Sequence, residues 1–280
     1  MRVFLIGLTV VFGSLGLSQT NLPPIAPKPP SPQPIAPTPA PVVPQLSSSS
    51  VVQTIRARGR LIVAFDPQFA PFALRDEKSK IVGFDVDLAR AFAVQIGVPL
   101  ESQPMLFNGL LNAVKTGRAD FAGSGITPTA RKDVLYSDIF FDNAQIFAVR
   151  AGNPSKFVFQ NADLTDKQIG VRANTIGFLA AFQRLVPLGA KIKVFETNQK
   201  ALAELQAGKL SSLILDLPSF EAYRGRRIPI DRVAGVLVQE RYAFALPKNS
   251  DLVPFVNQAI QTWKQNGGYN KALEKWLLDR

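Results

Sequence analysis

Gly83-Phe84-Asp85-Val86-Asp87-Leu88-Ala89-Arg90-Ala91-Phe92 holds the pattern from which the fold of this chain can be read. Asp85 and Asp87 stand where carboxylates accept the free N–H groups of a first helical turn and oppose the positive end of the helix dipole. Behind them Leu88, Ala91, Phe92 and Ile96 repeat at helical spacing. The spacing predicts a helix from Asp85 to Gly97 with one stripe buried against a sheet.

Outward from this helix the chain alternates short apolar runs with helical patterns, which predicts an α/β architecture with a parallel or mixed sheet. Leu61-Ile62-Val63-Ala64-Phe65 reads as the first strand and Phe69-Ala70-Pro71-Phe72 as a loop. A second helix is expected over about Asn108 to Thr116, ended by Gly117, with a short strand from Ala119 to Ala122. Leu110 to Ala122 is echoed by Leu202 to Ile214: both read helix, Gly, basic residue, strand. The recurrence suggests two lobes of similar construction.

About 230 of the 280 residues remain for folding once the first fifty are set aside, enough for one large core or two smaller ones at 46% hydrophobic content. Residues 1–18, with Arg2 and an apolar run from Val3 to Leu17, read as a secretory signal peptide with cleavage after Ser18. An uncleaved anchor is the alternative. Residues 19–50 are rich in Pro and Ser, with eleven prolines between Leu22 and Gln45, and read as a polyproline II spacer. Cysteine is absent, which excludes disulfides, thiol chemistry and a lipidated cysteine. Histidine is absent as well, so the usual triads and most zinc sites lack a member, and no cofactor or metal is expected. The net charge is +11, yet Lys and Arg are scattered, with Arg224-Gly225-Arg226-Arg227 the one dense cluster. A solvated basic face fits this better than a nucleic-acid partner.

Several stretches in order along residues 55–280 resemble the bacterial extracellular solute-binding proteins that serve polar amino acid ABC transporters. They are Phe69-Ala70-Pro71-Phe72, the hairpin from Glu77 to Asp85 with the helix that follows, Ile126-Thr127-Pro128 through Ser137-Asp138, Ile169-Gly170-Val171-Arg172, Leu215-Asp216-Leu217-Pro218, and Asn266 through Trp276. The resemblance implies a two-lobe, type II periplasmic binding protein-like α/β fold, each lobe a mixed sheet flanked by helices, joined by two hinge crossings. The crossings are expected near residues 143–146 and 239–242. The solute-binding domain is then 51–280, with lobe 1 about 51–145 plus 242–280 and lobe 2 about 146–241.

The resemblance also implies a ligand held between the lobes. An amino acid zwitterion leaving water needs an anion partner, a cation partner and fixed dipoles, because unpaired buried charge is costly. Asp216, at the end of an apolar strand, is expected to accept the α-ammonium, or else to cap the next helix. Phe69 and Phe107 match positions that sandwich the ligand. Asp66 reads either as an acid for a polar or cationic side chain or as an Asx turn before Pro67. Gly125, Thr127 and Arg172 complete the expected contacts.

The carboxylate clamp departs from the family pattern. Aligning on Tyr136-Ser137-Asp138 puts Ala130 at the usual Arg position, and aligning on Gly125-Ile126-Thr127 puts Lys132 there. Arg131, between them, is preferred because only a guanidinium gives a two-pronged contact. In the second lobe Ala173-Asn174-Thr175 replaces a Gly-Thr or Gly-Ser pair; Asn174 tolerates a left-handed backbone and Thr175 keeps a hydroxyl.

The function implied is that of a monomeric periplasmic or secreted protein that binds a small polar solute, an amino acid above all, and hands it to the permease of an ABC importer. It is not expected to be an enzyme. Two alternatives stand beside this reading: an envelope sensory domain without transport, and a cyclohexadienyl dehydratase-like enzyme using Glu240 or Glu221 as its acid.

Overall fold

The computed structural model describes residues 49–159 and 164–278. The signal peptide and nearly all of the Pro-rich spacer lie outside the described residues. Ser49 and Ser50, which composition groups with the spacer, are part of the folded body instead. Ser49 caps α1 (Ser50–Arg58) by accepting the Val52 N–H at 3.0 Å, and its hydroxyl donates to Asp251 at 2.7 Å.

After α1 come β1 (Leu61–Phe65), β2 (Gln68–Phe69), β3 (Ala73–Arg75), β4 (Ile81–Val82), α2 (Phe84–Gln95), β5 (Leu100–Pro104), α3 (Phe107–Lys115), β6 (Phe121–Ile126), β7 (Val134–Tyr136) and β8 (Phe141–Arg150). They are followed by β9 (Gln168–Arg172), α4 (Ile176–Arg184), β10 (Lys191–Phe195), α5 (Asn198–Gln206), β11 (Ser212–Asp216), α6 (Leu217–Gly225), β12 (Ile230–Pro247), α7 (Val253–Gln265) and α8 (Gly268–Leu273). The strand order is β10-β9-β11-β8-β12-β6-β1-β5, with β7 paired to β12. One parallel group, β5-β1-β6, belongs to lobe 1, and the other, β10-β9-β11, to lobe 2.

Between these groups β8 and β12 run antiparallel, pairing Asn143 with Glu240 and Gln145 with Val238. The segments expected to cross, 143–146 and 239–242, lie on these two strands. A register shift between Val233 and Val238 interrupts the pairing on the lobe 2 side.

The strands nearest the cleft are buried on both faces, which is why they read as unbroken apolar runs in the sequence. Val63 and Phe65 of β1 join one core cluster and Ala64 the opposite one, the two-residue alternation of a pleated strand. In lobe 2, Leu213 and Leu215 of β11 face one cluster and Ile214 the other. The internal echo is structural as well. α3 and α5 are each followed by a glycine in the left-handed region, Gly117 (φ 70°) and Gly208 (φ 74°), and then by a strand parallel to its neighbour.

The signature stretch forms the expected helix, from Phe84 to Gln95, and buries Leu88, Ala89 and Phe92, but its two acids do not cap it. Asp85 turns inward and accepts the backbone N–H groups of Ser124 at 2.7 Å and Gly125 at 3.1 Å. Asp87 accepts from Trp276 Nε1 at 2.7 Å and Lys275 Nζ at 2.9 Å, tying the C-terminal end to α2. Gly83 takes φ 142°, and a Cβ there would fall 2.2 Å from the Phe72 carbonyl oxygen. Only glycine lets the chain enter α2 this close to the Phe72 backbone.

Candidate functional site

A cavity of about 580 Å3 opens where the strands of the two lobes end, with Phe69, Phe107 and Thr127 on the lobe 1 side and Arg172, Thr175 and Asp216 on the lobe 2 side. Strand ends are where open α/β sheets leave room for ligands, since the connecting loops diverge there.

The lobe 1 wall is built on the end of β6. Ser124 and Gly125 both adopt positive φ, 85° and 66°, and Asp85 holds their N–H groups from behind. Full burial pushes the Asp85 carboxyl up to about 7, against the opposing pull of these two bonds. Gly125 also has no room for a side chain: a Cβ would sit 2.3 Å from the Phe69 ring. Phe69 rests on Phe72, with ring centroids 5.3 Å apart, and on the edge of Tyr242 at 6.1 Å, so it is at once core and cavity wall.

The floor is formed by the two crossing strands. Glu240 Oε1 accepts from Asn143 Nδ2 at 2.5 Å, Gln145 Nε2 at 2.7 Å and the Tyr242 hydroxyl at 2.9 Å, and Oε2 accepts from Thr127 Oγ1 at 3.2 Å. Every one of these donors is neutral. Burial raises the Glu240 carboxyl above its ordinary range, and the four bonds pull it back. From sequence Glu240 is legible only as a candidate catalytic acid, and Asn143, Gln145 and Tyr242 carry no expected role. The signal was present as two polar i, i+2 pairs, Asn143 with Gln145 and Glu240 with Tyr242, each on one face of a crossing strand. Glu221, the other candidate acid, is exposed on α6 and is not part of the cavity wall.

On the lobe 2 wall Asp216 fills both roles weighed for it. It caps α6 by accepting the Ser219 N–H at 3.0 Å, and it also lines the cavity. Burial first, and then the neighbouring Glu240, push its carboxyl up to about 7. Thr175 caps α4 by accepting the Phe178 N–H at 3.0 Å, and Asn174 before it takes the left-handed φ of 61°. The first turn of α4 therefore opens on the cavity with the positive end of its dipole. Ser219 Oγ donates to the Ala70 carbonyl at 2.9 Å, so the lobes touch directly.

Arg172 and Asp66 form one unit. An Arg172 Nη2 donates to Asp66 Oδ2, while Asp66 Oδ1 accepts the Gln68 N–H at 3.0 Å in an Asx turn. Asp66, expected as a ligand contact, is fully buried and is not part of the cavity wall, whereas its partner Arg172 is. The guanidinium of Arg172 lies 5.1 Å from the Phe107 ring centroid.

Arg131 reaches the cavity rim, yet its guanidinium forks onto Asp133 at 2.9 and 2.7 Å and its side chain is 45% exposed. Lys132 is exposed and is not part of the wall. Lys115, from the end of α3, stands at the same rim and also contacts Asp133, at 3.3 Å.

The sequence pattern of the bacterial extracellular solute-binding proteins, family 3, matches residues 61–279. The arginine-binding periplasmic protein of Mannheimia haemolytica is 27% identical over 235 residues, covering 80% of this chain and 93% of its own. Among solved structures, a mutant of ArgBP from T. maritima superposes with a TM-score of 0.74 at 33% identity, covering 80% of this chain and 98% of its own. An ancestral amino acid-binding protein, a precursor of cyclohexadienyl dehydratase, gives a TM-score of 0.75 at 31% identity over 81% of this chain and 100% of its own.

Proposed function

This chain belongs to the bacterial extracellular solute-binding proteins of family 3, and we propose that it works outside the cytoplasm as a monomer that captures an amino acid between its lobes and presents it to the permease of an ABC importer. Relatives named for arginine and for L-cystine support an amino acid as the class of ligand. The observation that carries the reading is the facing of Asp216 and Glu240 onto the cavity. These are buried carboxyl groups whose hydrogen bonds come from neutral donors. These two acids lack a cation, and an α-ammonium supplies one while restoring the ionised form of Asp216.

The carboxylate of the ligand then points toward the rim, where the first turn of α4, Thr175, Lys115 and Arg131 converge. Arg131 is held by Asp133 in an exposed pair, and exposed pairs contribute little, so the guanidinium can change partners at small cost. A ligand gripped by both lobes binds the closed arrangement better than an open one and shifts the population toward it. That closed form is the signal an importer reads.

Titration calorimetry and thermal shift across the proteinogenic amino acids test the proposal. At a hundredfold excess over Kd a bound ligand adds about 2.7 kcal/mol to stability, a shift of several degrees. A folded protein that responds to none of them at millimolar concentration would remove the reading. One observation favours a dehydratase as a second reading: Glu240 is a raised carboxyl facing the cavity. Turnover of prephenate or arogenate by the same sample, abolished in Glu240→Gln, would establish it.

A further inference from the structure

The pairing of Arg172 with Asp66 joins the two lobes across the cleft. Asp66 ends β1 in lobe 1 and Arg172 ends β9 in lobe 2, and their side chains are 0% and 4% exposed. Three further hydrogen bonds hold the pair. The Asp66 N–H donates to Ser124 Oγ at 2.9 Å, its Oδ1 accepts from Gln68, and Arg172 Nε donates to the Glu196 carbonyl at 3.3 Å. The guanidinium is stacked over Phe107, a favourable placement for a cation on an aromatic face.

A carboxylate, a backbone carbonyl and an aromatic face are together what a protein needs to recognise a guanidinium or ammonium side chain. Here all three are engaged by a guanidinium of the protein itself. We propose that Arg172 is a specificity-determining residue that fills, from lobe 2, the place a cationic ligand side chain would take. The cleft then selects amino acids with uncharged, hydrogen-bonding side chains and rejects arginine and lysine. This rests on the amino acid reading given above.

A second cation could enter only by displacing Arg172 from a buried partner or by lying beside its like charge, and both are unfavourable. An anionic side chain fares no better beside this pair, because Arg172 is already neutralised and Asp216 and Glu240 also face the cavity. Five carboxamides, Asn108, Asn112, Asn174, Asn198 and Gln145, line the cavity. Such groups both donate and accept without fixed charge, which suits a side-chain amide or hydroxyl.

The test is calorimetric titration of the full chain with glutamine, glutamate, lysine and arginine, for the wild type, Arg172→Gln and the double variant Arg172→Gln with Asp66→Asn. The wild type is expected to bind glutamine at least tenfold more tightly than the three charged ligands. Arg172→Gln frees Asp66, and its affinity for arginine is expected to rise at least tenfold; the double variant removes the freed carboxylate and loses that gain. Arginine, lysine or glutamate binding the wild type as tightly as glutamine does would overturn the inference, and so would an unchanged arginine-to-glutamine ratio in Arg172→Gln. Should that variant not fold with its uncompensated acid, the wild-type ratio decides alone. A folded wild type that binds no amino acid at all removes the amino acid reading and this inference with it, whereas a preference for arginine removes only the inference.

Discussion

In lobe 1 the cleft wall stands on aromatic rings. Phe69 lies on Phe72, and Phe72 meets Phe84, Phe141 and Tyr242 at centroid distances of 5.0 to 5.9 Å. In lobe 2 the corresponding wall stands on aliphatic strands, with Leu213 and Leu215 on one face and Ile214 on the other. Each lobe also has one carboxyl that burial pushes up to about 7, Asp85 in lobe 1 and Asp216 in lobe 2. Asp85 is turned to the backbone of Ser124 and Gly125, and Asp216 is turned to the cavity. The same perturbation therefore accompanies a structural clip in one lobe and an open position in the other. What lies opposite a shifted carboxyl, rather than the shift, tells which it is.

The sharpest way to break this contrast is Asp85→Ala. Two buried N–H groups lose their acceptor, which costs on the order of 2–5 kcal/mol. For a domain of this size that is a fall in Tm of roughly 5–15 °C, read by circular dichroism. A fall of only a degree or two would show that the β6 end holds its own shape.

The pH dependence of the ligand-free protein comes next. Asp85 and Asp216 have folded values raised from 3.8 to about 7, so the folded state binds more protons than the unfolded chain between those limits. Stability should therefore fall as pH rises from about 4 through about 7, by at most about 1.4 kcal/mol per pH unit for each group. Glu240 is raised too and acts in the same sense. Tm is expected to be higher at pH 5.5 than at pH 8, and Asp216→Asn should remove the lobe 2 share of the slope. A flat profile would mean that neither carboxyl is buried as described.

Asp216→Asn also separates the two roles of that residue. Asparagine caps helices as well as aspartate does, so α6 should persist while the negative charge is lost. Affinity for an amine-bearing solute should drop at least tenfold, about 1.4 kcal/mol, with Tm of the free protein held or raised. An unchanged Kd would take Asp216 out of the site. The smallest effect is expected at the outer edge of lobe 2, where Glu204 meets Lys193 at 2.5 Å and Lys209 at 2.9 Å. These partners are exposed enough to be screened by solvent, and Glu204→Gln should leave Tm within error.

Much of the scaffold was legible because its signals are local. Leu61–Phe65 is an apolar run and forms β1 with those limits, and Gly117 and Gly208 end their helices in both halves of the internal echo. The signature helix was readable from its apolar spacing, but the partners of Asp85 and Asp87 were not. Both acids sit where capping is the local default, and their real partners are 39 or more residues away. Tertiary contacts overrode the local preference, as they do where a buried backbone donor needs an acceptor. Asp66 and Arg172 are each legible as site residues, but their union is not, since 106 positions and a lobe boundary separate them. The rim was legible only in part. Three residues in sequence, Ala130, Arg131 and Lys132, were candidates, and which one faces inward depends on loop geometry that no spacing encodes.

Asn143 and Glu240, the paired residues on β8 and β12, stand side by side although 97 positions separate them. Everything between them leaves and rejoins the rest of the chain at neighbouring points, so the intervening segment is connected like a graft with both stems at one node. A short reverse turn joining residue 143 to residue 240 would close the remaining polypeptide on itself. The excised portion could then be exchanged between relatives as a cassette, carrying Asp216 and Arg172 with it.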